Sequence, residues 1–396
     1  MQPFFRLFLL LALAASPALA QRSLGTVEVA VDSSVLPVRV SASTPELNDL
    51  VLRAFSTHGR YKLVASNYTY DIRFEAAGAA QVRVDITKGL GATPVASETV
   101  TGTNLRHALL RAADVAVVKT NGLGLHGYFT GRLAFIRDLG RAKEVCTSDL
   151  FFSAGEVKQI TRNNAQALSP RWSPDGSKIL FTSFFKSGFP DIYVLDLVSN
   201  QCVTLASFKG TNTGARFSPT GRQVAMVLSG EGSQEIYVSD AQGRGVSRRT
   251  HSDWAKASPC WSPDGGRLVF TMQPGPQLYV MSAAGGLPQR LSTGFTYVAE
   301  PDWSRADPGK IACTVRNGRQ YQIAVYDFSK GKAEVVSKAP FDGQEPSWLA
   351  DGRHLVYTAR TPSESRLCIL DTETGKSTPI SPASFGSALQ GSVLTP

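Results

Sequence analysis

Trp172-Ser-Pro-Asp-Gly176 returns as Phe217-Ser-Pro-Thr-Gly221, Trp261-Ser-Pro-Asp-Gly265 and Trp348-Leu-Ala-Asp-Gly352, and with a longer turn as Trp303-Ser-Arg-Ala-Asp-Pro-Gly309. In chain order the aromatic anchors are 45, 44, 42 and 45 residues apart. A period of this length marks a repeat architecture built from one supersecondary unit. Within the turn, Pro presets φ at about −65°, Asp can bond its own backbone, and Gly accepts positive φ. Each turn leads into an apolar strand (178–182, 223–227, 267–271, 310–314, 354–358), then a third strand such as 191–194 or 277–280, and a short fourth such as 202–205. The middle strands lack polar alternation, as expected of sheets covered on both faces. The anchoring Trp or Phe fills the wedge between neighbouring blades, burying on the order of 150–250 Å².

Before Trp172 stands a partial unit, 132–136, 144–146 and 157–161, without an innermost strand. The chain end, 387–394, can supply it and close the ring, removing exposed sheet edges. The span 131–396 then divides into six four-stranded blades, an all-β, WD40-like six-bladed propeller.

Upstream the pattern changes. Residues 27–31 read as a strand, and Thr44 can cap a helix to about Ser56 with Leu47, Leu50, Val51 and Phe55 on one face. Strands at 61–64, 70–74, 82–86 and 97–101 follow, then a second helix from about Asn104 to Lys119. The first twenty residues carry a single charge, Arg6, an apolar run at 7–15 and a small-residue site, Ala18-Leu19-Ala20. The expected organisation is therefore an export signal (1–20) cleaved after Ala20, an α/β domain (21–125) and the propeller (126–396). No later stretch approaches twenty apolar residues, so no direct membrane insertion is expected.

Basic residues outnumber acidic ones 41 to 32, for a net charge of +9. They are scattered, with no basic run interleaved with aromatics, which argues against nucleic acid as a partner. The five Cys, at 146, 202, 260, 313 and 368, fall in different repeats and form no CxxC. They read as small buried strand residues rather than a disulfide framework.

Set in this order, the small α/β region, the second helix and the repeats resemble the TolB family, the periplasmic propeller of the Tol–Pal system. The most specific stretch is Asn121-Gly-Leu-Gly-Leu-His-Gly-Tyr-Phe-Thr-Gly-Arg-Leu-Ala-Phe-Ile136, which is similar to the family's helix-to-propeller junction. Val27, Glu28, Val29, Ala30, Val31 and Asp32 are similar to the segment that engages an inner-membrane TolA-type partner in the family. The resemblance implies a periplasmic, monomeric, non-enzymatic protein that binds this partner and a peptidoglycan-associated lipoprotein (Pal), supporting outer-membrane integrity and cell division.

Catalytic motifs are sparse. Gly122-Leu-Gly124-Leu-His-Gly127 matches GxGxxG, but it follows a helix and precedes a strand, the reverse of a dinucleotide site, so its glycines read as a hinge. The His residues at 58, 107, 126, 251 and 354 show no ligand spacing, and no GxSxG elbow is present. No cofactor, metal or catalytic residue is assigned.

The remaining candidate surface is the mouth of the central channel, lined by residues three to six before each anchor. These are Ser169, Thr211, Asn212, Lys256, Ser258 and Val298, together with Glu300, Gln344 and Glu345. Glu300 and Glu345 stand at equal offsets before Trp303 and Trp348, so both should face the channel from adjacent blades. Three readings of this mouth remain open: a hydrated pore entrance, a protein-docking rim, and a divalent-cation site. An alternative function is a propeller enzyme, a glycan lyase or hydrolase using these carboxylates.

Overall fold

The structure, a computed structural model, describes residues 35–394 apart from Leu90 and Ala339. The signal reading and residues 27–32 lie outside the described residues. The first described element is β1 (Leu36–Ala42), a strand the sequence reading missed. It is followed by α1 (Pro45–Thr57), β2 (Tyr61–Leu63), β3 (Tyr70–Gly78), β4 (Gln81–Lys88), β5 (Thr93–Thr101) and α2 (Leu105–Thr120). The sheet order is β2-β1-β3-β4-β5, with β1 parallel to both neighbours and the rest antiparallel.

Both helices begin with side-chain caps. Thr44 Oγ1 accepts the Leu47 N–H at 3.3 Å with Pro45 at the first helical position, and Asn104 Oδ1 accepts the His107 N–H at 2.8 Å. In β4 the alternation is complete, Val82, Val84 and Ile86 inward and polar residues outward, so one face packs on the helices and the other meets solvent.

Six four-stranded antiparallel sheets follow. Blade one takes its innermost strand from the chain end: Ala388–Leu394 pairs antiparallel with Arg132–Asp138. Blades two to six begin with Ala167–Trp172, Asn212–Phe217, Lys256–Trp261, Val298–Trp303 and Asp342–Trp348. Their tight turns behave as the residues dictate: Asp175 Oδ1 accepts the Ser177 N–H at 3.1 Å, and Gly176 adopts φ 71°.

The α/β core is continuous with blades one and six. One apolar cluster contains Phe55, Phe74 and Leu109 together with Phe151, Leu349 and Ile369. The glycine-rich junction is a clamp rather than a hinge at its end. Asp114 of α2 accepts the N–H groups of Phe129 (2.7 Å) and Thr130 (3.2 Å) and the Thr130 hydroxyl (2.7 Å). A Cβ on Gly127 would lie 2.3 Å from that of Asp114, so only glycine allows the approach.

Four of the five Cys are buried strand residues as expected, whereas Cys202, on the outer edge of blade two, is exposed. None of the five is disulfide-bonded.

The central channel as candidate functional site

Every innermost strand carries a register break three residues before its anchor. The residue there lies in the left-handed region in all six blades: Ser169 (φ 52°), Gly214 (67°), Ser258 (53°), Glu300 (55°), Glu345 (59°) and Gln390 (56°). Five of the six are not glycine, so the backbone carries strain at one level of the channel all the way round. The break turns these side chains inward, where all but Gly214 line a cavity of about 60 Å³.

The three longest of them link blade to blade. Glu300 Oε2 accepts the Thr314 hydroxyl (2.7 Å) and the Glu345 N–H (3.0 Å). Glu345 Oε2 accepts the Thr358 hydroxyl (2.7 Å) and the Gln390 N–H (3.1 Å). Gln390 Oε1 accepts the Ser169 N–H at 2.7 Å. Each side chain thus satisfies the strained amide of the next blade, from blade five through six and one to two. The corresponding side chains of blades two to four are too short for this.

A second level lies just before the anchors. Cys260 Sγ, Asp302 Oδ2 and Ser347 Oγ accept the N–H groups of Trp303 (3.4 Å), Trp348 (2.8 Å) and Val393 (3.2 Å). The indole N–H groups of Trp172, Trp261 and Trp348 reach back to the carbonyls of Ser392, Arg216 and Asp302 in the preceding blade. The anchors therefore stitch blades together as well as filling wedges. Trp303 is the exception: its indole bonds Pro308 O, inside the longer turn of its own blade.

Electrostatics within the channel are crowded. Arg216 Nη1 pairs with Asp302 Oδ1 at 2.5 Å, and it also contacts Cys260 Sγ at 3.1 Å. Among the described residues the Arg171 guanidinium bonds only its neighbour's carbonyl, Pro170 O. Burial, and then Arg216, push it down to about 10. Burial, and then the Glu345 charge, hold the Glu300 carboxyl above the usual range. Two guanidiniums and committed carboxylate lone pairs disfavour a cation here. A cavity of this size is also far below the roughly 300–1,000 Å³ of small-molecule sites, which leaves no room for a sugar.

The sequence-derived mouth residues divide accordingly. Ser169, Ser258, Glu300 and Glu345 meet in the cavity, while Thr211 and Gln344 are half-buried outside its lining. Asn212, Lys256 and Val298 are buried and do not reach the mouth. Asn212 Nδ2 caps the loop carbonyls of Phe208 (2.8 Å) and Pro190 (3.2 Å). The Lys256 ammonium sits 2.8 Å from Glu235 Oε2 and 2.6 Å from Ser252 Oγ. A side chain five residues before the anchor points into the blade, one register step from what an unbroken strand would give. The break itself, Gly214 apart, left no glycine signal in the sequence.

The two mouths differ. One is covered by the α/β domain, enclosing about 550 Å³ between Asp114, His126, Thr130 and the Trp-Ser-Pro turns. The other, beyond the bulge residues, is rimmed by loops that expose Phe189 (67%), Phe208 (48%) and Trp254 (52%). Exposed Lys186 and Lys209 stand on the same loops as Phe189 and Phe208, and Arg316 and Arg319 stand at the blade-five hairpin.

With fold and channel in place, comparison with known proteins is decisive. Residues 123–388 match the family described as TolB beta propeller domain, well over half of the chain. The chain belongs to the TolB β-propeller family. The Tol-Pal system protein TolB of Bordetella pertussis is 31% identical over 186 residues, covering 46% of this chain and 41% of that protein. The match thus spans about two-fifths of the curated TolB relatives. TolB from Acinetobacter baumannii superposes with TM-score 0.78 at 23% identity, covering 91% of this chain and 96% of that one. A chain of a nidogen/laminin complex gives TM-score 0.56 at 13% identity over 67% of this chain. Such likenesses show the TolB-like fold of an α/β region and six blades, and a propeller alone does not fix a function. Among the described residues no helix is long and apolar enough to cross a membrane.

Proposed function

We propose that this TolB-family chain is a periplasmic, non-enzymatic docking component of a Tol–Pal-like envelope complex. The uncovered channel mouth binds a peptidoglycan-associated lipoprotein, and the segment around Val27–Asp32 engages a TolA-type inner-membrane protein. The complex so linked supports outer-membrane integrity and cell division.

The observation that carries this reading is the contrast between the channel and its rim. The channel carboxylates are spent on holding blades together, which leaves them poorly suited to acid–base work. Around them stand exposed aromatic and arginine side chains, the residue types enriched in protein interfaces. Docking also fits family membership and membership of the Bordetella relative in the Tol-Pal system.

Photo-crosslinkers at Phe189 and Trp254 test it in cells, with Leu287, 92% exposed on a blade-four loop near the opposite face, as control. Capture of an outer-membrane lipoprotein from the first two positions and not from Leu287 is expected. Equal capture from all three, or none from the rim, rejects the docking mouth.

A further inference from the structure

Blade six departs from the repeat where the α/β domain meets it. Leu349-Ala350 replace Ser-Pro, and His354 opens the second strand where the other blades have Lys178, Gln223, Arg267 and Lys310. His354 is fully buried, and so is His58, the residue that ends α1. The two rings meet edge to face with centroids 4.4 Å apart, and Tyr128 of the junction stacks on His58 at 5.4 Å.

Hydrogen bonds fix the protons. His354 Nδ1 faces Asp351 Oδ2 at 2.5 Å, and its Nε2 accepts the Gly59 N–H at 3.1 Å, so that nitrogen carries a lone pair. His58 Nδ1 accepts the Arg60 N–H at 3.3 Å, so its proton is on Nε2, which is buried with no partner. The bonds from the Gly59 and Arg60 N–H groups are therefore accepted only by neutral imidazoles.

We propose that His354 and His58 form an acid-sensitive latch between the α/β domain and blade six, in which a proton competes with the Gly59 N–H for the lone pair of His354 Nε2. Gly59 is held at that point because nothing larger fits: a Cβ there would lie 1.7 Å from Asp371 Oδ2. A proton on His354 Nε2 has its own partner waiting, since Asp371 Oδ2 is 3.4 Å away on blade six itself. A proton added to His58 must occupy Nδ1, displacing the Arg60 N–H, and places a second buried charge against His354. Release of the α/β domain relieves both conflicts and leaves the blade intact.

The surrounding charges agree. From blade six, Asp351 and Asp371 face His354, and Arg353 is bidentate to Asp371 (3.0 and 2.7 Å). From the α/β side come Arg60, tied to Asn121 O, and the Tyr61 hydroxyl, bonded to Thr120; Tyr128 bonds Thr57, and Lys376 of blade six bonds Ser56 O. Asp114 of α2, which clamps the junction, is pushed up to about 6 by burial. Burial lowers the affinity of His354 for a proton, but Asp351 and Asp371 outweigh it and hold it above 6.5. Burial and then His354 hold His58 well below 6.5. Relative to the unfolded chain, protonated His354 thus stabilises the folded chain with the α/β domain docked below pH 6.5, an effect lost as pH rises through its raised value. His58 does the opposite: its burial costs stability as pH falls below 6.5. Acid therefore acts on the docked chain in both directions, and it weakens docking where the cost at His58 and the loss of the Gly59 bond exceed what the carboxylates beside His354 return. The trio His58, Asp351 and His354 does not suit a metal, because both His354 nitrogens are already bonded and Arg353 stands beside them.

Amide hydrogen exchange on the full chain, corrected for intrinsic rates, tests the latch. Protection at residues 56–60 should fall by about tenfold per pH unit for each proton taken up below pH 6.5. Blades three and four should hold theirs. The variant His354→Gln keeps an acceptor for Gly59 that does not titrate, and with His58→Gln it should abolish the pH slope. Side-chain nitrogen shifts of the unmodified protein serve should the variant not fold, and must show an unprotonated His354 Nε2 at pH 7.5. Flat protection from pH 7.5 to 5, a slope surviving the double variant, or a protonated Nε2 at pH 7.5 would overturn the latch.

Discussion

The turns of blades four and six stand at the same place in the repeat and do different work. In blade four, Ser262 Oγ accepts the Arg267 N–H at 2.9 Å and so starts the second strand, while Asp264 is exposed and bonds only its own turn. In blade six the serine is Leu349, and Asp351 has taken over its task. Its Oδ1 accepts the N–H groups of Arg353 (3.1 Å) and His354 (2.9 Å), and its Oδ2 holds the His354 ring. Leu349, freed from the turn, joins the apolar cluster shared with the α/β domain. Agreement with the repeat therefore marks what builds a blade, and departure from it marks what a blade binds.

Writing the repeat back into blade six breaks this contrast most sharply. Leu349→Ser with Ala350→Pro should keep a competent turn, since Gly352 N–H already bonds Leu349 O as Gly265 N–H bonds Ser262 O. The same pair strips a leucine that is 2% exposed from the interdomain core, at a cost of about 3 kcal/mol. Denaturant unfolding should show the loss, and limited proteolysis should cut near the 121–131 junction first. A variant as stable as the parent would mean that Leu349 does not hold the domains together.

The matching change in blade four is smaller. Ser262→Ala removes one acceptor from a turn that Pro263, Asp264 and Gly265 still shape, and should cost about 1 kcal/mol by the same assay. It should leave the junction as resistant to proteolysis as before. Accelerated cleavage at 121–131 would show that blades and interface are not separable in this way.

These differences explain what the sequence revealed. Anchors, turns, the six-blade count and the closing strand are legible because each rests on a local residue preference repeated at one period. The strand Leu36–Ala42 alternates as a strand should, with Val38 and Val40 inward and Arg39 and Ser41 between them, but Pro37 inside the run reads as a strand breaker and masked it. The channel residues were half legible: Glu300 and Glu345 announced themselves by equal offset, but Asn212 and Lys256 were misplaced because a bulge shifts the face. His58 and His354 lie 296 positions apart, so no spacing rule joins them. The available signal was the loss of Ser-Pro beside a histidine in one repeat of five.

The channel offers the mildest test of the same rule. At the bulge level blades five and six carry Glu300 and Glu345, where blades two to four carry Ser169, Gly214 and Ser258, so two carboxyls crowd one arc of the ring. Burial and then Glu345 raise the affinity of Glu300 for its proton. A carboxyl that binds its proton more tightly folded than unfolded loses stability as pH rises above the unfolded value near 4.5. Glu300→Gln removes that charge and keeps an oxygen for the Glu345 N–H and the Thr314 hydroxyl. Its melting temperature should exceed the parent's at pH 7, and the gain should vanish near pH 4. Destabilisation at both pH values would mean that the ionised carboxylate is the form the ring needs. In that case the two glutamates serve blade-to-blade bonding more strongly than they repel.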